Sequence, residues 1–186
     1  MKIISLRVDA TGSNILSDEI LQLCIVDGDG NPLFFSRFKP IEHTRWDDAE
    51  IKTLVSPSNV ANCLGLFEYR YVIEPLLSKA DLIVGDGISD FDLPLLFSSG
   101  ITNTIREDAI VIDTAQCQRG PAFLEDVDLE PGALLRDPFA RARGSLWGFY
   151  RLFGDPPEIP TAGCGIYHNI GRQRFHYPKY RIDFKI

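Results

Sequence analysis

Apolar residues come in short runs divided by polar turns, and the spacing within each run tells strands from helices. KIISLRV, at the start of the chain, predicts a first strand that ends at Asp9, Ala10, Thr11 and Gly12. EILQLCIV predicts a second strand, DGDGN at 27–31 a tight turn, and PLFFSRF a third strand, which together make an antiparallel meander. Residues 42–63 are polar with short helical pieces. Residues 64–80 then place Leu66, Tyr69, Val72, Ile73, Leu76 and Leu77 near one helical face. That helix serves as a crossover into the apolar run DLIV, so the strand it reaches is parallel and buried.

Gly85, Asp86, Gly87 and Ser89 break that run before FDLPLLFSS resumes helical spacing. Asp90 is placed to cap this helix, and Pro94 fits its first turn, where its missing N–H costs nothing. AIVIDT at 109–114 predicts a further strand. The stretch around 116–144 is rich in proline and acids and lacks periodicity, which predicts an irregular surface excursion, and SLWGFYRLFG at 145–154 is helical again. The expected order β-β-β-α-β-α-β-α needs no second core, so residues 1–186 are read as one domain.

Composition narrows the classes. No apolar run approaches the roughly 20 residues that cross a bilayer, and MKIISLRVDATG turns polar too early for a signal peptide, so no membrane partner and a cytoplasmic location are expected. Cys24, Cys63, Cys117 and Cys164 are scattered without a C-x-x-C pair, which supports neither a zinc knuckle nor a disulfide framework. The net charge of -7 argues against a broad basic face for nucleic acid. Yet the charge is uneven: from Arg141 onward eight Lys and Arg oppose three acids, a balance of +5 against -12 for the remainder. Such a tail can follow a phosphate backbone or remain a solvated surface.

The segment VGDGISDFDLPLL resembles the second motif of the DnaQ-like (DEDD, DEDDh-type) 3'-5' exonuclease superfamily, V-G-H-N followed by F-D-x-P-x-L, with Asp86 and Gly87 in place of the His-Asn pair. AEIKTLVSPSNV is similar to the linker of that family, and IDT matches another of its recurrent phrases. The resemblance implies an α/β, ribonuclease H-like three-layer fold. Its mixed five-stranded sheet has three antiparallel strands, then parallel strands, with helices on both faces. It further implies metal-dependent phosphodiester hydrolysis at DNA or RNA 3' ends, single-stranded ends among them, with Mg2+ or Mn2+ as cofactor. No protein partner is specified.

In that chemistry two cations about 3.5–4 Å apart clamp the scissile phosphate, and several carboxylates must offset their mutual repulsion. The resemblance assigns Asp92 to the metal. A gapless match of Thr11 and Gly12 to the family's T-T-G puts Asp9 in the place of a metal-binding glutamate and Arg7 in that of an aspartate, with Arg7, Thr11 and Gly12 on the substrate side. A guanidinium cannot ligate a cation. HNIGRQ, matched to H-x-A-x-x-D, keeps His168 as the general base and sets Gln173 at the last aspartate, while His176 competes with His168 for the role. Two ligand acids are thus replaced, and the site is degenerate unless Asp86 or Asp90 supplies a substitute ligand. Because alternate residues of a strand share a face, Arg7 is expected to point toward Asp9 and Asp92 and to pair with one of them.

Overall fold

The computed structural model describes residues 1–101, 105–117 and 138–153, together with the backbone of two short strands at 167–170 and 173–176. Its centre is a five-stranded sheet of β1 (Ile3–Ala10), β2 (Ile20–Asp27), β3 (Pro32–Arg37), β4 (Leu82–Gly85) and β5 (Ile110–Asp113), in the order β3-β2-β1-β4-β5. β1 to β3 form the antiparallel meander, and β4 and β5 join β1 in parallel. The mixed five-stranded sheet read from the sequence is therefore present, with β1 in the middle.

Alternation along β1 divides its side chains between two cores. Ile4, Leu6, Val8 and Ala10 pack with Ile73 and Leu77 of α3 (Arg70–Ser78) and with Leu93, Leu95 and Leu96 of α4 (Leu93–Ser98). Ile3 faces the other way, and with Cys24, Val26, Leu82, Val84 and Ile112 it packs on Ala142, Leu146 and Phe149 of the long helix that begins at Pro138. Helices thus cover both faces of the sheet.

Several expectations shift in detail. The amphipathic stretch at 64–80 divides into a 3-10 turn at Leu66–Tyr69 and then α3, which continues through Pro75. The polar stretch at 42–63 carries two short helices, α1 (Asp47–Thr53) and α2 (Pro57–Val60). Asp90 does not cap α4: it lies inside a π-helical turn, Ile88–Asp92, that runs straight into that helix, with Pro94 in the first helical turn as expected. A short helix α5 (Thr114–Cys117) follows β5. The last helix, α6 (Pro138–Phe153), starts well before residue 145, so the final part of the supposed irregular stretch is helical despite Gly144 and Gly148. The rest of that excursion lies outside the described residues.

His168 and Gln173 fall on β6 (Tyr167–Ile170) and β7 (Gln173–His176), an antiparallel pair separate from the main sheet, in which Tyr167 is opposite His176 and Ile170 is opposite Gln173. Their side chains, and the choice between His168 and His176, lie outside the described residues.

Candidate functional site

β1 delivers its last residues to the carboxyl end of the sheet, and the pairing with β2 shifts register between Asp9 and Ala10. Such an irregularity re-aims the side chains beside it. Asp9 is buried there, only 4% exposed, and its Oδ2 accepts a hydrogen bond from Gln22 Nε2 at 2.6 Å, from the residue opposite on β2.

Asp92 reaches the same place from β4. Gly85 ends the strand where Ile88 leaves no room for a Cβ, and Gly87 turns the chain at a φ of 73° that an L side chain rarely adopts. The loop is then fixed from the neighbouring strand end. The Asp113 carboxylate accepts the backbone N–H groups of Gly87 at 2.9 Å, Ser89 at 2.9 Å and Ala115 at 3.0 Å, and Thr114 Oγ1 donates to the Gly85 carbonyl. The π-helical turn that follows carries Asp92 into the interior, fully buried, with no hydrogen-bond partner for either carboxylate oxygen.

Burial pushes the Asp92 carboxyl up to about 8. The Arg7 guanidinium opposes that rise, the Asp9 carboxylate adds to it, and Arg141 opposes it again. The Val8 amide also favours the charged form, though it misses hydrogen-bonding geometry. Asp9 and Asp92 therefore lie within electrostatic reach of one another, beside two arginines.

The arginine that pairs with Asp9 is not Arg7. Arg141, from the second turn of α6, donates through Nη2 to Asp9 Oδ2, and Ser5 Oγ fixes the helix over β1 by donating to the Ala142 carbonyl at 2.7 Å. Arg7, predicted to pair with an aspartate, makes no ion pair among the described residues. Its Nη1 instead donates to the backbone carbonyl of Asp86 at 2.8 Å. The alternation argument gave the face but not the reach, because the Asp86 carbonyl intercepts the guanidinium. The Asp86 side chain is exposed, and Asp90 meets Gln116 Nε2 at 3.4 Å.

Thr11 and Gly12 serve a separate network beside the site. Thr11 Oγ1 donates to Asp18 Oδ1 at 2.9 Å, and the same Asp18 carboxylate occupies the space a Cβ on Gly12 would need. Glu19 accepts the backbone N–H groups of Ile41, Glu42 and His43, and meets His43 Nδ1 at 2.9 Å. The glycine is thus demanded by Asp18. Sequence reading passed over Asp18, Glu19, His43 and Asp113, for which the IDT phrase was the one signal, and took Arg141 only as the start of a basic tail.

The described residues do not fit a pair of divalent cations. No three His, Cys, Asp or Glu side chains among them converge as a metal site. Asp9 is already held by Arg141 and Gln22. Two guanidinium groups occupy ground where a cation would need further carboxylates.

No protein-family model matches the sequence, and no curated protein sequence does either. Solved structures do match. E. coli exonuclease I in complex with a dA16 oligonucleotide is similar with a TM-score of 0.65 at 13% identity, over 84% of this chain and 41% of that one. A moderately thermophilic exonuclease I from Methylocaldum szegediense gives 0.63 at 16% identity, over 84% and 41%. A complex described as ExoI/SSB-Ct gives 0.62 at 13% identity, over 84% and 42%. The chain spans about two fifths of the length of these structures. No helix among the described residues is long and apolar enough to cross a membrane. The sheet order, the two helical layers and these similarities together show the α/β, ribonuclease H-like fold that exonuclease I has.

Proposed function

We propose that this chain is an exonuclease-like protein that works on nucleic-acid 3' ends, with metal-dependent phosphodiester hydrolysis weakened by the loss of ligand acids. One observation supports the reading most. On this fold, Asp9 and Asp92 come from separate elements to the carboxyl end of the central strand, which is where open α/β sheets bind ligands. A buried carboxyl without a hydrogen-bond partner is costly, and such groups are retained most often where they act. The fold neighbour bound to dA16 makes single-stranded DNA the first substrate to try, with RNA beside it.

The experiment is incubation of a 5'-labelled single strand with excess protein in Mg2+ or Mn2+. Slow shortening from the 3' end alone is expected. An absence of both shortening and binding, for DNA and for RNA, would overturn the proposal. A second reading, a catalytically inactive homologue that binds nucleic acid or a protein partner, is favoured by the Arg141–Asp9 ion pair, which takes Asp9 out of metal binding. Binding without any shortening identifies it.

A further inference from the structure

We infer that Arg7 and Arg141 together form a metal-independent phosphate site beside Asp9 and Asp92, where the resembled family holds its cations. The inference rests on the reading of this chain as a protein of nucleic-acid 3' ends. It adds the group that is held: a backbone phosphate of the terminal nucleotides.

The orphaned polar atoms point to it. Among the described residues, five buried side-chain nitrogens or oxygens lack a hydrogen-bond partner, and four belong to one cluster: Arg7 Nε, Arg141 Nε and both carboxylate oxygens of Asp92. Two of these four are N–H donors, Arg7 Nε and Arg141 Nε, and since buried donors are almost always satisfied, that unpaired pair calls for a ligand with acceptor oxygens. Each guanidinium spends one terminal nitrogen on the protein, Arg7 on the Asp86 carbonyl and Arg141 on Asp9, and each leaves its Nε without a protein acceptor. A phosphate brings acceptor oxygens, and guanidinium recognises them by parallel N–H donors.

Charge points the same way. Arg7 and Arg141 set two fixed positive charges against the carboxyl groups of Asp9 and Asp92, whereas a four-carboxylate centre would be strongly anionic. A divalent cation entering here meets two fixed positive groups, whereas an anion meets two carboxyl groups, of which Asp9 is already paired with Arg141 and Asp92 is buried. The Arg141 side chain is 17% exposed, so a ligand can reach it while contact with bulk water stays low. Asp9 then has an unexpected role. It holds Arg141 in place and competes with the phosphate for it.

That competition gives a test with opposite signs for the two chemistries. Binding of a 5'-fluorescein single-stranded oligodeoxynucleotide is measured in EDTA and in Mn2+, for the full chain and for Arg7→Met, Arg141→Met and Asp9→Asn. The expected result is binding that EDTA leaves unchanged and inorganic phosphate competes away. Each arginine change should weaken it about ten-fold and lower the salt slope by about one. Asp9→Asn should tighten it, because the amide no longer claims Arg141; for a metal site the same change would weaken it. Since Arg141→Met and Asp9→Asn each break the buried pair, every variant is first shown to be folded by its melting curve, and the sign of the change in the near-isosteric Asp9→Asn carries the decision. Binding that appears only with Mn2+, or that ignores all three changes, overturns the phosphate site and leaves the 3'-end reading standing. If no oligonucleotide binds at all, that reading fails, and the site is judged on inorganic phosphate alone. A phosphate-dependent rise in melting temperature that Arg7→Met abolishes supports it, and no rise overturns it.

Discussion

Arg141 on α6 donates to the carboxylate of Asp9 at the end of β1, across 132 positions of sequence. The contact joins the last described helix to the central strand and places a fixed cation inside the candidate site. Both groups are largely withdrawn from water, Asp9 at 4% and Arg141 at 17% exposure. Removing one partner of such a pair strands the other charge. Arg141→Met should therefore cost about 3–5 kcal/mol in urea unfolding, whereas the double change Arg141→Met, Asp9→Asn should recover most of it. A double-mutant cycle with no coupling would show that the pair contributes nothing to the fold.

Asp92 makes stability fall as pH rises. Its folded-state pKa, raised to about 8 by burial, exceeds that of an unfolded aspartate, so between those values the folded chain holds a proton that the unfolded chain has lost. The contribution is fully present below the unfolded pKa near 4, declines by up to about 1.4 kcal/mol per pH unit, and is lost once pH passes the folded value. Asp92→Asn removes the slope. Its melting temperature should exceed that of the unmodified chain near pH 9 and draw level toward about pH 5. Parallel pH profiles for the two proteins would mean that Asp92 is not buried as the fold has it.

Much of this arrangement was legible in the sequence, and what was missed has physical causes. Strands announce themselves through β-formers bounded by turns, so β1 to β5 were readable from KIISLRV, EILQLCIV, PLFFSRF, DLIV and AIVIDT. Asp92 was readable because its motif fixes it at a strand-to-helix turn. Arg141 was not, since Gly144 obscures the start of α6, and tertiary packing of Ala142, Leu146 and Phe149 holds a helix that intrinsic propensity would not. The direction of Arg7 was half readable. Periodicity fixes the face of a strand on which a side chain stands, but where a long side chain ends depends on which carbonyl it meets first, here that of Asp86.

Asp113 should prove to be a positioning residue for the Asp92 turn. Its buried carboxylate satisfies the Gly87, Ser89 and Ala115 amides, and charge-assisted bonds of that kind are stronger than neutral ones. Asp113→Ala leaves those N–H groups without their acceptor and should cost on the order of 3 kcal/mol. The local signature is faster hydrogen exchange at Gly87 and Ser89, with the core amides of β1 accelerated less by comparison. Unchanged exchange at those two amides would assign the loop's shape to Gly87 alone.

The Glu19 clamp works in the opposite pH direction from Asp92. Burial raises the Glu19 pKa, but the amides of Ile41 and His43, the His43 ring and the Glu42 amide outweigh it, and the net shift is downward. The folded chain therefore keeps this carboxylate ionised at pH values where the unfolded chain has protonated it. Its contribution is present above the unfolded value near 4.5 and is lost as pH falls through the lower folded value. What is lost with it is the attachment of residues 41–43 to the strand β2 end, next to the Asp18 carboxylate that orders Thr11 and Gly12. Glu19→Gln turns an amide N–H2 toward donors that need an acceptor, so it should destabilise the chain by about 2 kcal/mol at neutral pH. The variant and the unmodified chain should converge in stability as pH falls through the lowered folded value, since protonation has by then removed the same charge. A gap that stays constant down to the acid unfolding midpoint would show that Glu19 acts through packing, and that the three amides find another acceptor.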